Sequence, residues 1–93
     1  MTDNFRDNEA RNRFELETGG AIAFVTYRKS PGAITLEHTE VPPELGGKGI
    51  GSKIARATLD AVRAQGCKLT VECEFIQGFM KKNPEYNDLL AAA

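Results

Sequence analysis

Residues 46–52 read Gly46-Gly47-Lys48-Gly49-Ile50-Gly51-Ser52, four glycines in the first six positions, and open directly into a helical pattern. Each glycine costs roughly 0.5–1 kcal/mol relative to alanine in regular structure, so a run this dense calls for a use. Amides ahead of a helix lack intrahelical acceptors. Those of Gly47, Lys48, Gly49, Ile50, Gly51 and Ser52 would point at one spot, and the missing Cβ atoms would let a diphosphate reach the backbone. The helix dipole adds only about 0.3–1 kcal/mol, so several amide hydrogen bonds must supply the rest. Two nucleotide patterns fail on detail. A Walker loop closes on Gly-Lys-Ser/Thr, but here the order is Gly51-Ser52-Lys53. A dinucleotide fingerprint wants glycine where Ser52 stands, within a parallel strand unit.

The elements that must hold this loop follow from periodicity. Met1 to Asn12 is polar and reads as a lead-in (residues 1–12) to a single domain spanning 13–93. Phe14 and Leu16 alternate with Arg13, Glu15 and Glu17, and Thr18-Gly19-Gly20 supplies a hairpin turn. Ala21 to Arg28 is a second strand with few charges, expected to be central and covered on both sides. Lys29-Ser30-Pro31-Gly32 turns the chain into a third strand, Ala33 to Val41, in which Ile34, Leu36, His38 and Glu40 share one parity. Pro42-Pro43 ends it.

After the loop, Ile54, Ala55, Thr58, Leu59 and Val62 recur at helical spacing, predicting a helix from Ser52 to Gln65 closed by Gly66. Lys68 to Glu74 alternates as a fourth strand, with Leu69, Val71 and Cys73 on one face. A short helix from about Phe75 to Lys82 stops at Asn83-Pro84, and Tyr86 to Ala93 adds a last turn or frays. Short turns join the first three strands as an antiparallel meander, and a helix joins the third to the fourth, which favours parallel pairing. The expected fold is α/β (α+β): a mixed, mostly antiparallel four-stranded sheet with a glycine-loop–helix crossover.

Composition bounds the function. The chain has 93 residues, 41% of them hydrophobic and 27% charged, enough for one modest core. Twelve Lys and Arg oppose thirteen Asp and Glu, so the net charge is −1. The broad positive field of a nucleic-acid or anionic-membrane binder is missing, and any phosphate must be held locally. No apolar run nears the roughly 18 residues of a membrane span, and the polar start lacks the apolar stretch of a signal peptide. Two cysteines, Cys67 and Cys73, build no disulfide framework, and no Cys/His cluster predicts a metal. A soluble cytoplasmic protein, monomeric or weakly dimeric, without nucleic-acid or membrane partners, is expected.

The glycine loop between strand and helix resembles the Q/R-x-x-G-x-G/A motif of the GNAT acetyltransferase superfamily. The wider string His38-Thr39-Glu40-Val41-Pro42, then Gly47-Lys48-Gly49-Ile50-Gly51-Ser52-Lys53, Cys73 and Asn83-Pro84-Glu85-Tyr86, resembles a branch of minimal GNAT-like proteins. The resemblance covers about Arg13 to Tyr86. Gly46 stands where the motif has Gln or Arg, and the helical pair and terminal strands of a full-sized GNAT domain are missing, so the fold implied is a truncated one.

The resemblance implies acetyl-coenzyme A as cosubstrate, held by Val41, Gly46, Gly47, Lys48, Gly49, Ile50, Gly51, Ser52 and Cys73, with no metal. It implies transfer of an acetyl group to an amine of a small molecule or protein. The alternative is a non-catalytic acyl-coenzyme A-binding or protein-interaction module on the same frame. In the GNAT arrangement two parallel strands splay around the thioester. Carried over, Ala33 to Val41 and Lys68 to Glu74 bring His38, Glu40 and Cys73 together there.

Each of these residues reads two ways. Cys73 is a small buried hydrophobe or a nucleophile that first takes the acetyl group. Free cysteine ionises at about pH 8.5, so a nucleophilic thiol needs help such as the helix start that follows Cys73. His38 is a satisfied strand-end residue or a base suited to neutral pH. Glu40 is solvated or is the carboxylate base that many GNAT enzymes keep at this strand end. Tyr86 is a candidate acid for the leaving thiolate. Lys48, Lys53, Lys81 and Lys82 are candidates for phosphate contacts or a solvated face, and Cys67 reads as structural.

Overall fold

A computed structural model describes residues 4–46 and 49–90. One sheet carries five strands in the order β1 (Asn4–Asn8), β2 (Arg13–Thr18), β3 (Ala21–Ser30), β4 (Ala33–Glu40) and β5 (Lys68–Val71). The first three pairings are antiparallel and β4–β5 is parallel. Helix α1 (Ile50–Gln65) makes the crossover, and α2 (Glu74–Lys82) follows β5. Short 3-10 segments lie at Glu9–Arg11, Pro43–Leu45 and Pro84–Leu89. The mixed, mostly antiparallel α/β sheet expected from the sequence is therefore present, with the parallel pair where the crossover predicted it.

The sheet has five strands rather than four. The extra one lies in the polar stretch read as a lead-in, and Met1 to Asp3 lie outside the described residues. Its composition hides a two-sided pairing with β2. On one face Phe5 stacks on Phe14, ring centroids 5.9 Å apart, and Asp7 accepts a 2.6 Å hydrogen bond from the Tyr27 hydroxyl. On the other, Arg6 reaches Glu15 at 2.8 Å and Glu17 at 3.3 Å. Each side chain from Phe5 to Asn8 finds a complement, so few apolar residues are needed to hold the strand.

Both helices pack on the face of the sheet that carries the apolar core, while on β2 the opposite face buries Glu15 as well. Phe14, Val25, Leu36 and Leu69 are fully buried beneath Ile54, Leu59 and Val62 of α1 and Ile76 of α2. Phe24 and Thr26, between them on β3, are half-buried on the open face. The second strand is central, but it is covered by helices on one side only. At the C-terminal end of the described chain Leu90 bridges Leu69 in parallel.

Other boundaries shift by small amounts. α1 begins at Ile50, two residues before the expected Ser52, and β4 ends at Glu40 rather than Val41. β5 stops at Val71 instead of Glu74, since the chain there leaves the ladder to enter α2.

Candidate functional site

The β4–β5 ladder pairs Ala33 to Leu36 with Lys68 to Val71, and a last rung runs from the Glu72 N–H to the Leu36 carbonyl at 2.8 Å. Beyond it β4 continues to Glu40 while the other chain turns at Cys73 into α2. The two strands part, leaving a gap at the sheet's end. This is where the sequence reading put the splay.

A β-bulge decides which β4 side chains face which way. Tyr27 pairs with Leu36 and Thr26 with His38, so Glu37 has no register partner on the β3 backbone, although its carboxylate accepts from Arg28 of that strand. One extra residue inverts the alternation downstream. Ile34 and Leu36 face the core, but His38 and Glu40, opposite Thr26 and Phe24, fall on the open face. There they meet each other, His38 Nε2 to Glu40 Oε1 at 2.9 Å, both exposed. His38 and Glu40, expected to come together with Cys73 where the strands splay, instead stand on the opposite face of the sheet from it. Their shared parity with Leu36 holds in number but not in space. Cys73, buried on the core face, is met by Thr39, whose Oγ1 lies 3.2 Å from Sγ. Sequence reasoning gave Thr39 no role, although it stands in the His38-Thr39-Glu40-Val41-Pro42 string and in the wholly polar Glu37-His38-Thr39-Glu40 that breaks the apolar alternation.

The glycine loop divides into parts with different uses. Gly46, placed among the coenzyme A-binding residues by the resemblance, donates its N–H to the Pro43 carbonyl at 3.0 Å and closes a 3-10 turn. Gly47 and Lys48 lie outside the described residues. Gly49 takes φ +71° at the head of α1, the left-handed region that favours glycine. The first α-helical bond runs from the Lys53 N–H to the Gly49 carbonyl at 3.0 Å, so the amides of Ile50, Gly51 and Ser52 precede the ladder. Gly49 has no side chain to cap them. These three amides at a helix start fit an anionic group.

Gly51 has a second reason to be glycine. A Cβ there would sit 2.6 Å from Cζ of Phe75, whose ring rests against it from the first turn of α2. Phe75 is 45% exposed and lines a cleft of about 250 Å³ with Ser52, Glu74, Gly78, Phe79 and Lys82. Of the lysines singled out, Lys82 stands at this cleft, Lys53 is exposed on α1, and Lys81 lines a separate hollow of about 370 Å³ with Val71, Met80 and Leu90. Val41, just past β4, packs against the core, as does Cys67. Among the described residues no three His, Cys, Asp or Glu side chains gather as metal ligands, and no helix is long and apolar enough to cross a membrane.

Tyr86 is placed elsewhere. It is buried, donates to Asp60 at 2.8 Å and accepts from Arg56 at 3.3 Å on the outer flank of α1. Burial, then the hydrogen bond to Asp60, raises its hydroxyl above the ordinary tyrosine value. Arg56 also holds Asn83 at 3.1 Å. The Asn83-Pro84-Glu85-Tyr86 string thus fastens the C-terminal segment to α1, and nothing in these contacts brings the phenol to Cys73.

Comparison with known proteins agrees with the fold. The family model of the GCN5-related N-acetyl-transferases matches residues 13–89. The NMR solution structure of a GCN5-like protein from Staphylococcus aureus superposes with a TM-score of 0.70 at 29% identity, covering 97% of this chain and 89% of that one. Protein NATD1 from Bos taurus is 43% identical, and that from Homo sapiens 41% identical, over 51 residues. That stretch is 55% of this chain and 45% of either relative, so the match reaches less than half of their length.

Proposed function

This chain belongs to the GCN5-related N-acetyltransferase family, and we propose that it moves an acetyl group from acetyl-coenzyme A to an amine, with Cys73 as a covalent way station. The observation that carries this reading is the helix start at Gly49, whose first-turn amides precede the helical ladder, on the chain that links β4 to β5 beside the place where those strands part.

Acetyl-coenzyme A supplies an activated thioester; the rest is the work of the chain. The amides of Ile50, Gly51 and Ser52 hold the diphosphate, and Lys82 adds a cation at the cleft. Phe75 and Phe79 give the cleft apolar walls against which a pantetheine arm can lie. Cys73, on the helix-covered side of the gap, takes the acetyl group. The His38–Glu40 pair stands on the open side, from which an amine can approach without crossing the helices, and accepts the proton the amine must lose. The two faces of one sheet then separate donor from acceptor.

The test is a titration with acetyl-coenzyme A followed by amide shifts, joined to intact mass and to release of free coenzyme A with a panel of amines. Shifts centred on Gly49 to Ser52 and on Thr39 and Cys73, one added acetyl group lost in Cys73→Ala, and amine-dependent thiol release are expected. Absence of shifts at the helix start overturns the donor assignment. Tight binding with no thiol release assigns the chain to acyl-coenzyme A binding without catalysis, and release that survives Cys73→Ala makes the transfer direct.

A further inference from the structure

We infer that Thr39 is the positioning residue for Cys73 in acetyl transfer, and that the bulge at Glu37 is the device that aims it. The inference rests on the covalent route above and goes beyond it, since neither the loop motif nor strand periodicity points to Thr39.

In a regular β4 the side chain reaching Cys73 from the core face would be that of His38 or Glu40. Skipping Glu37 in the backbone register turns both outward and brings Thr39, opposite Val25, inward instead. Thr39 Oγ1 then lies 3.2 Å from Sγ across the gap where β4 and β5 no longer pair. Cys73 stands at the N-cap of α2, yet its side chain makes no hydrogen bond to that helix's amides. The polar contact recorded at Sγ is the threonine, and only 6% of the cysteine is exposed to water. A hydroxyl suits both states of the sulfur: it accepts from a thiol and donates to a thiolate by rotating one bond. The β-branched side chain restricts χ1, so the hydroxyl is held in place.

In the step itself the Cys73 thiolate attacks the acetyl carbonyl carbon. A Cys73 S–C bond forms, the bond from coenzyme A sulfur to that carbon breaks, and the departing thiolate takes a proton from solvent. The proton lost by Cys73 has already gone to solvent, so Thr39 keeps its own throughout. Its part is to hold the sulfur toward the gap and to donate to it while charged.

The test compares Thr39→Val, which keeps the shape and removes the hydroxyl, with Thr39→Ser, which keeps the hydroxyl. The rate of acetyl-Cys73 formation from acetyl-coenzyme A is read by peptide mass, and alkylation of Cys73 by iodoacetamide is read beside that of Cys67 in the same molecule. Thr39→Val slows both reactions at Cys73 by about tenfold to a hundredfold, the size expected for one hydrogen bond to a charged group. Thr39→Ser restores them to within about threefold, and alkylation of Cys67 reports that the fold is intact. Wild-type rates in Thr39→Val, or equal losses in Val and Ser, overturn the role of Thr39 while acetylation of the wild type still stands. No acetyl-Cys73 in a wild type that binds coenzyme A overturns the covalent route itself, and the positioning role with it.

Discussion

Around Glu15 three strands lie side by side and both carboxylate oxygens have partners; around Cys73 two strands stop pairing and a helix begins. Glu15 is 2% exposed, yet Arg6 at 2.8 Å, Asn8 at 3.1 Å and Arg13 at 2.6 Å enclose its carboxylate, and the Arg13 guanidinium lies 4.3 Å above the Phe24 ring. Burial alone would raise its carboxyl; the bonds from Arg13, Asn8 and Arg6 outweigh that and hold it below the ordinary glutamate value. At the other end the ladder stops after Leu36, the first amides of α1 precede their helix's ladder, and an exposed phenylalanine lies against a bare glycine. Saturated pairing holds the fold, whereas a reactant needs groups that pairing has not consumed.

Removing one side of the saturated region gives the largest effect. Glu15→Ala leaves three donors facing an apolar hole and costs about 2–4 kcal/mol in a denaturant titration, toward the low end because the arginines keep contact with water. Coenzyme A shifts at Gly49 to Ser52 in the folded variant stay as in the wild type; their loss would show that the two regions are one cooperative unit.

The same carboxylate sets an acid limb. It stays ionised in the folded chain at pH values where an unfolded glutamate, with a pKa of about 4.3, takes up a proton. Its contribution is complete above that range and fades as pH falls through it toward the folded value. Stability measured from pH 6 to pH 3 should therefore drop more steeply for the wild type than for Glu15→Gln, and parallel curves would remove Glu15 as the cause.

At the unsaturated end the effects are smaller. Gly49→Ala strains a residue at φ +71° and costs about 1–2 kcal/mol, and Gly49→Asn costs less because asparagine tolerates that region. Equal losses would mean that volume rather than backbone conformation matters there. Gly51→Ala sets a helix-propensity gain of about 1 kcal/mol against displacement of the Phe75 ring, so its net effect is near zero. In a Phe75→Ala background the gain emerges, a coupling of about 1 kcal/mol in a double-mutant cycle. No coupling would remove Phe75 from the wall of the cleft.

What could be read in advance follows the range of each signal. The hairpin at Gly19-Gly20, the amphipathic stripe of α1 and the parallel β4–β5 pair rest on local periodicity and connection length, and each is present. β1 escaped because its cohesion is pairwise: Arg6 has meaning only beside Glu15 and Glu17, nine and eleven residues away. Gly51 was legible as a position that excludes a side chain, but the ring that occupies the space belongs to α2. Tyr86 carried a motif whose work turned out to be fastening, which depends on Asp60 and Arg56 of α1.

The residues alone determined the kind of fold and the place of the loop, because alternation, helical spacing and glycine density act over a few positions and need no distant partner. Tertiary structure decided which side chains face Cys73. A single residue skipped in the backbone register, Glu37, turned His38 and Glu40 to the open face and Thr39 to the sulfur. Strand parity is set by the register with β3, and that register exists only once the sheet has formed.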